Sequence, residues 1–266
     1  MRVGLDDVGR GEPVVLLHSS CSSRRQWRRL VAELAGRYRT LALDLHGYGE
    51  TSWPADPETF SIDDEVALVE HVLDRVAGPA HLVGHSYGGV VALAVALRHP
   101  QRVRSLALHE PVVFQLALAG PLAAVGAEIT RMVELLAERV EAGAPAAAAE
   151  HFIDYWRGAG TWAALPEKGR QAAARVIPKL PVELRAMLRS PYALRDYGTI
   201  RSPVCLLAGT VGRATARRVA ELLATVLPDG SLQLVAGAGH MAPVTHPQLV
   251  NPRIAAHLAA HPIPSS

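Results

Sequence analysis

Between residues 84 and 89 the chain reads Gly84-His85-Ser86-Tyr87-Gly88-Gly89. A serine with glycine two places before and two places after it marks a tight, strained turn from a strand into a helix. The glycines remove side chains that would collide where strand and helix approach. The apolar runs His81-Leu82-Val83 and Val90 to Leu97 supply that strand and that helix. Ser86 is then left with its hydroxyl free, near a helix N-terminus that favours developing negative charge. A serine hydroxyl is a weak nucleophile at neutral pH. It needs a base within hydrogen-bond reach, and the base needs an orienting carboxylate.

Twelve histidines are available. His240 stands in Gly237-Ala238-Gly239-His240-Met241, a Gly-rich loop after the last apolar run. That is the carboxyl edge of a sheet, where ligands collect, so His240 is the expected base. His18 is read as a loop brace and His85 as structural. His99, His257 and His261 are expected to be solvated beside helix ends. The carboxylate should lie at a strand end between Ser86 and His240. Glu110 follows the run Val103 to Leu108 and precedes Pro111. The other strand end reads Gly209-Thr210-Val211-Gly212-Arg213, with no carboxylate, and Glu221 and Asp229 are too distant. Glu110 is the expected acid, against a surface glutamate beside a bare Ser–His pair. An oxyanion also needs donors. The backbone N–H of Tyr87 supplies one, and the loop His18-Ser19-Ser20-Cys21 the other, through Ser20. Cys21 has no local base and reads as a loop thiol.

Positioning these groups requires alternating strands and helices. Strands are expected at Pro13–Leu17, Thr40–Leu45, Ala80–Gly84, Val103–Leu108, Val204–Ala208 and Leu232–Ala236. Trp27–Leu34 has helical apolar spacing. Ser61 reads as the N-cap of a helix whose first turn carries carboxylates and which Gly78-Pro79 ends. From residue 115 to 199 the pattern is Ala-rich and helical, with Met132–Val140 and Ala146–Tyr155 periodic and Pro178, Pro181 and Pro191 breaking the remainder. Helices near Ala214–Leu227 and Pro247–Leu258 follow. Strand–helix alternation indicates an α/β fold with a parallel sheet covered on both faces. Its core is residues 1–114 and 200–266, and 115–199 is an inserted helical cap.

The composition narrows the partners. The chain has 266 residues, 27 basic against 25 acidic side chains, and a net charge of +2. The basic residues are scattered, which argues against nucleic acid. No apolar run approaches the ~18 residues of a membrane span, and no secretory signal is expected at the start. Two cysteines, Cys21 and Cys205, cannot form a disulfide framework or a Cys-based zinc site, and read as free thiols of a cytoplasmic protein without assigned roles. The charge balance favours a neutral or apolar small-molecule substrate. Oligomeric state is not legible.

The pieces VVLLHSS, LALDLHGYGETS, LVGHSYGG, LALHEP, LLAG and GAGHMAPVTHP, in that order, resemble the α/β-hydrolase superfamily over nearly the whole chain. The resemblance implies a mostly parallel, eight-stranded sheet with a helical cap, and hydrolysis through an acyl-enzyme with no cofactor and no metal. Two places depart from it. Ser19 stands where a glycine usually follows the histidine of the oxyanion loop. Gly212 fills the slot of the usual aspartate after the seventh strand. Some members carry the acid after the sixth strand, and Glu110 stands there. The serine argues against haloalkane dehalogenase or epoxide hydrolase chemistry, which uses an aspartate at that position. The expected activity is cleavage of a carboxylic ester of a small, mainly apolar substrate. Lactonase, thioesterase, C–C bond hydrolase and perhydrolase activities use the same groups, and an inactive ligand-binding protein of this fold is the alternative of another class.

Overall fold

A computed structural model describes residues 2–264. Seven strands form one sheet: β1 (Leu5–Gly9), β2 (Glu12–Leu17), β3 (Tyr38–Leu43), β4 (Ala80–His85), β5 (Val103–His109), β6 (Val204–Gly209) and β7 (Gly230–Val235), in the order β1-β3-β2-β4-β5-β6-β7. All neighbours are parallel except β1, which pairs antiparallel with β3. The eight-stranded expectation is thus corrected to seven among the described residues. The sequence reading also missed β1 itself. Its residues LDDVG are mostly exposed and lack an apolar alternation, because an edge strand needs only one partner.

The helices are α1 (Arg28–Leu34), α2 (Ile62–Leu73), α3 (Tyr87–Arg98), α4 (Ala123–Glu141), α5 (Pro145–Arg157), α6 (Thr161–Ala164), α7 (Glu167–Val176), α8 (Lys179–Leu188), α9 (Leu194–Tyr197), α10 (Thr215–Ala224), α11 (Ala242–Thr245) and α12 (Pro247–Ala260). Side chains alternate across the sheet with period two. Val15 and Leu17 of β2 face one apolar core with α2, α3 and α10. Val14 and Leu16 face a second, with Leu30 and Leu34 of α1 and Ile254 and Leu258 of α12. At the start of α2, Asp64 Oδ2 accepts from the Ser61 N–H at 2.8 Å and from its hydroxyl at 3.0 Å.

Between β5 and β6 the chain is helical, α4 to α9, and its apolar faces join the α2–α3 core. Pro181 does not break this stretch. It is the third residue of α8, where an absent N–H costs no intrahelical bond. His257 is half-buried rather than solvated, because α12 lies against the sheet. No helix among the described residues is long and apolar enough to cross a membrane.

Candidate active site

Ser86 is the single residue between β4 and α3, with φ 53° and ψ −116°. A non-glycine residue there costs about 1–3 kcal/mol, so its surroundings must hold it. They do: its N–H donates to the His109 carbonyl at 3.0 Å, and its carbonyl accepts from the Gly89 N–H at 2.9 Å. A Cβ on Gly88 would stand 2.2 Å from the Leu17 carbonyl oxygen, and one on Gly84 would stand 2.7 Å from the Gly88 carbonyl oxygen. Helix and strands meet too closely for side chains at either place. The helix starts at Tyr87 rather than Val90, since the two glycines continue it instead of looping before it.

The structure brings the three expected side chains into one chain of hydrogen bonds. His240 Nε2 lies 3.0 Å from Ser86 Oγ, and His240 Nδ1 lies 2.6 Å from Glu110 Oε2. The other Glu110 oxygen accepts from the Gly209 N–H at 2.8 Å. All three residues are buried. Glu110 has φ 44°, and its N–H donates to the Leu207 carbonyl at 2.9 Å. Burial pushes the Glu110 carboxyl up. The hydrogen bond and charge of His240, with His109 and the Gly209 N–H, outweigh burial and hold it below its ordinary value. An ionised Glu110 accepting from Nδ1–H leaves Nε2 free to accept from the serine hydroxyl, the tautomer a general base needs.

Two histidines that the sequence reading had not tied to this site hold the His240 loop. His85 Nε2 donates to the His240 carbonyl at 2.8 Å, and His109 Nε2 donates to the Gly239 carbonyl at 3.2 Å. The Nδ1 atom of each is buried without a partner. Burial, with the neighbouring imidazoles, drives His85 far below its ordinary range; burial takes His109 to about 4. Both rings are therefore neutral braces. His18 braces as expected: its Nδ1 donates to the Ser19 carbonyl at 2.7 Å, and its Nε2 accepts the Leu45 N–H at 3.0 Å.

Tyr87, first in α3, has one of the N–H groups a helix leaves unbonded at its start. The Ser19–Ser23 loop lines the same cavity as Ser86 and His240. Ser19 has no left-handed backbone, so a glycine is not required there; its hydroxyl donates to Gln26 Oε1 at 3.0 Å. The left-handed residue is Cys21, with φ 54°. Burial and the nearby Glu183 carboxylate push the Cys21 thiol up, which keeps it a thiol. Ser20 donates its hydroxyl to Glu183. The cavity is about 610 Å³, with Phe152, Ile153 and Val176 as apolar walls and Arg25, Arg157 and Arg175 also in its lining. Trp156 stacks on the His240 ring, with centroids 4.0 Å apart. A second cavity of about 750 Å³ also reaches Trp156 and His240. Among the described residues, no cluster of His, Cys, Asp and Glu could hold a metal ion.

A family model described as alpha/beta hydrolase fold matches residues 12–247. The chain is 40% identical over 112 residues to 2-hydroxymuconate semialdehyde hydrolase of Pseudomonas sp. (strain CF600), covering 41% of this chain and 39% of that protein. It is 37% identical over 106 residues to pimeloyl-[acyl-carrier protein] methyl ester esterase of Aeromonas hydrophila subsp. hydrophila, covering 40% of each. These matches span about two-fifths of the curated relatives' lengths. Among solved structures, a thermophilic esterase from Thermogutta terrifontis superposes with a TM-score of 0.78 at 26% identity, covering 97% of this chain and 94% of that one.

Proposed function

Because the chain belongs to the alpha/beta hydrolase fold family, we propose that it is a serine hydrolase cleaving a carboxylic ester through an acyl-enzyme. The observation that carries this is the buried relay Ser86–His240–Glu110, at 3.0 and 2.6 Å. Ser86 Oγ attacks the ester carbonyl carbon while its proton passes to His240 Nε2. Glu110 holds the imidazole tautomer and stabilises the imidazolium. The N–H groups of Tyr87 and Ser20 receive the oxyanion, each donor being worth about 10²–10³ in rate. When the tetrahedral intermediate collapses, the C–O bond breaks and the alcohol leaves with the proton from Nε2. Water, deprotonated by the same nitrogen, attacks the acyl-enzyme, and Ser86 recovers its proton as the acid departs. Residues 115–199 act as the cap that supplies the cavity wall. Free thiols at Cys21 and Cys205 fit a cytoplasmic setting.

The lining refines the substrate. Arg25, Arg157 and Arg175 line the cavity, none ion-paired among the described residues, and no carboxylate side chain lines it beside them. An ester with an apolar acyl part and an anionic group remote from the scissile carbonyl suits this arrangement better than the neutral ester expected from net charge. Net charge averages over the whole surface, whereas the cavity gathers cations locally. The arginines also favour a second reading, a carboxylate-bearing unsaturated substrate of the kind named in 2-hydroxymuconate semialdehyde hydrolase.

A fluorophosphonate probe tests the reading, since only an activated serine reacts. Labelling at Ser86, abolished with turnover by at least about 10³-fold in Ser86→Ala, is the expected result. Failure to label, with no turnover of any ester, would leave the ligand-binding alternative. A p-nitrophenyl ester series of increasing chain length, with and without a terminal carboxylate, beside a lactone and a thioester, then ranks the substrates.

A further inference from the structure

Among the described residues, Asp44, which pairs with Arg24, is a fully buried charged side chain outside the relay, and three more are buried together in one cluster. The three are Glu65 on α2 and Lys179 and Glu183 on α8. Lys179 Nζ lies 3.2 Å from Glu65 Oε1 and 3.0 Å from Glu183 Oε2. The rings of Tyr48, Phe60 and Tyr87 surround the same ammonium, with centroids 4.9, 4.9 and 4.7 Å away. Tyr87 OH donates to Glu65 Oε1 at 3.1 Å, and the His46 N–H to Glu65 Oε2 at 3.2 Å. Tyr48 OH donates to Glu183 Oε2 at 2.9 Å, and Ser20 Oγ to Glu183 Oε1.

Burying three ions costs several kcal/mol each before their attraction is counted, and apolar residues of similar volume often serve stability as well. A cluster of this kind is better explained by what it orients. Its two ends are Ser20 and Tyr87. These are the residues whose backbone N–H groups are the proposed oxyanion donors, from two separate segments of the chain.

We propose that the Glu65–Lys179–Glu183 cluster sets the oxyanion hole, by clamping Ser20 and Tyr87 through their side-chain hydroxyls at a fixed separation. The three ions are positioning residues and touch no reacting atom. Ser20 is held by Glu183, Tyr87 by Glu65, and Lys179 binds the two carboxylates together. The oxyanion loop has Ser19 where a glycine is usual in the superfamily, and Cys21 takes the strained left-handed conformation. Tethers at Ser19, to Gln26, and at Ser20, to Glu183, hold that strain in place. Because Lys179 and Glu183 lie on α8, the helical insertion is part of the catalytic geometry as well as a cover. The inference rests on the serine hydrolase reading.

The test begins with fluorophosphonate labelling of the wild-type protein. Steady-state kinetics follow on an ester and on its thionoester, whose sulfur anion gains much less from N–H donors. Ser20→Ala cuts the clamp without removing a buried charge, and Glu183→Gln keeps the shape while removing one. Both should lower kcat for the ester by about 10- to 100-fold, with KM within about twofold, since a misplacement near 1 Å costs about 10² in rate. The ester-to-thionoester rate ratio should fall by a similar factor, and Ser20→Thr should restore both. Wild-type ratios in Ser20→Ala and Glu183→Gln, with Ser86 still labelled, overturn the inference alone. Equal losses on ester and thionoester together with a lowered Tm also overturn it, because that marks a structural role only. Absence of labelling in the wild-type protein overturns the hydrolase reading and the inference with it.

Discussion

Glu110 combines a left-handed backbone, φ 44°, with a carboxylate shared between the Gly209 N–H and His240. Glu110→Gln presents an amide where a carboxylate should accept, and so favours the wrong imidazole tautomer. The expected result is a kcat lower by about 10³–10⁴-fold in a protein that still folds, read by active-site titration beside a thermal melt. The depressed carboxyl contributes stability that is complete above its ordinary value of 4.5 and is lost as pH falls through its lower folded value. Glu110 was legible because a strand ends directly before it and the rival strand end has no acid. His109 and Trp156 were not. A histidine closing VRSLALH, or a tryptophan at helical spacing, carries no sign of which loop or ring it will meet. Their contacts join residues 130 and 84 positions apart.

The β4–α3 junction places its elements under tighter limits than any single hydrogen bond. Gly88→Ala would drive a methyl into the Leu17 carbonyl oxygen, at the end of the strand that leads into the Ser19–Ser23 loop. Helix α3 and that loop must separate, so kcat should fall by about 10²-fold or more. Gly36→Ala is the control. A Cβ there meets nothing within 4 Å and the residue has no positive φ, so unchanged kcat and equal or slightly higher Tm are expected. Similar kcat in both variants would refute the elbow argument. At this scale the sequence was informative wherever apolar periodicity was strong: six strands, α2 with its Ser61 cap, and the helical run before β6. It was silent on β1, which needs no apolar face, and misleading at Pro181, where position within the helix outweighs residue type.

For the molecule as a whole, buried neutral histidines govern acid stability. Burial lowers His18 and His109 to about 4, and burial with the neighbouring imidazoles holds His85 well below its ordinary value. In the unfolded chain each takes a proton near 6.5. Between about 4 and 6.5 the unfolded state therefore binds more protons, and stability rises with pH through that window and levels above it. Urea titrations at pH 4.5, 5.5 and 7.5 should show unfolding free energy falling toward acid, by about 1.4 kcal/mol per pH unit for each histidine. His109→Gln should remove one proton's share of that slope; an unaltered slope would show that His109 does not carry it. The sequence by itself determined the α/β class and the elbow, and it singled out Ser86, His240 and Glu110, whose side chains the fold hydrogen-bonds together. Those signals are local: a glycine spacing, a strand end, a periodic run. Only the tertiary structure decided which buried groups steady them. His85 and His109 under the His240 loop, Trp156 on its ring, and the Lys179 cluster linking Ser20 to Tyr87 depend on burial and on contacts between distant segments. A charged residue has the same letter whether it faces water or lies in the core, and burial is what turns it into a positioning group.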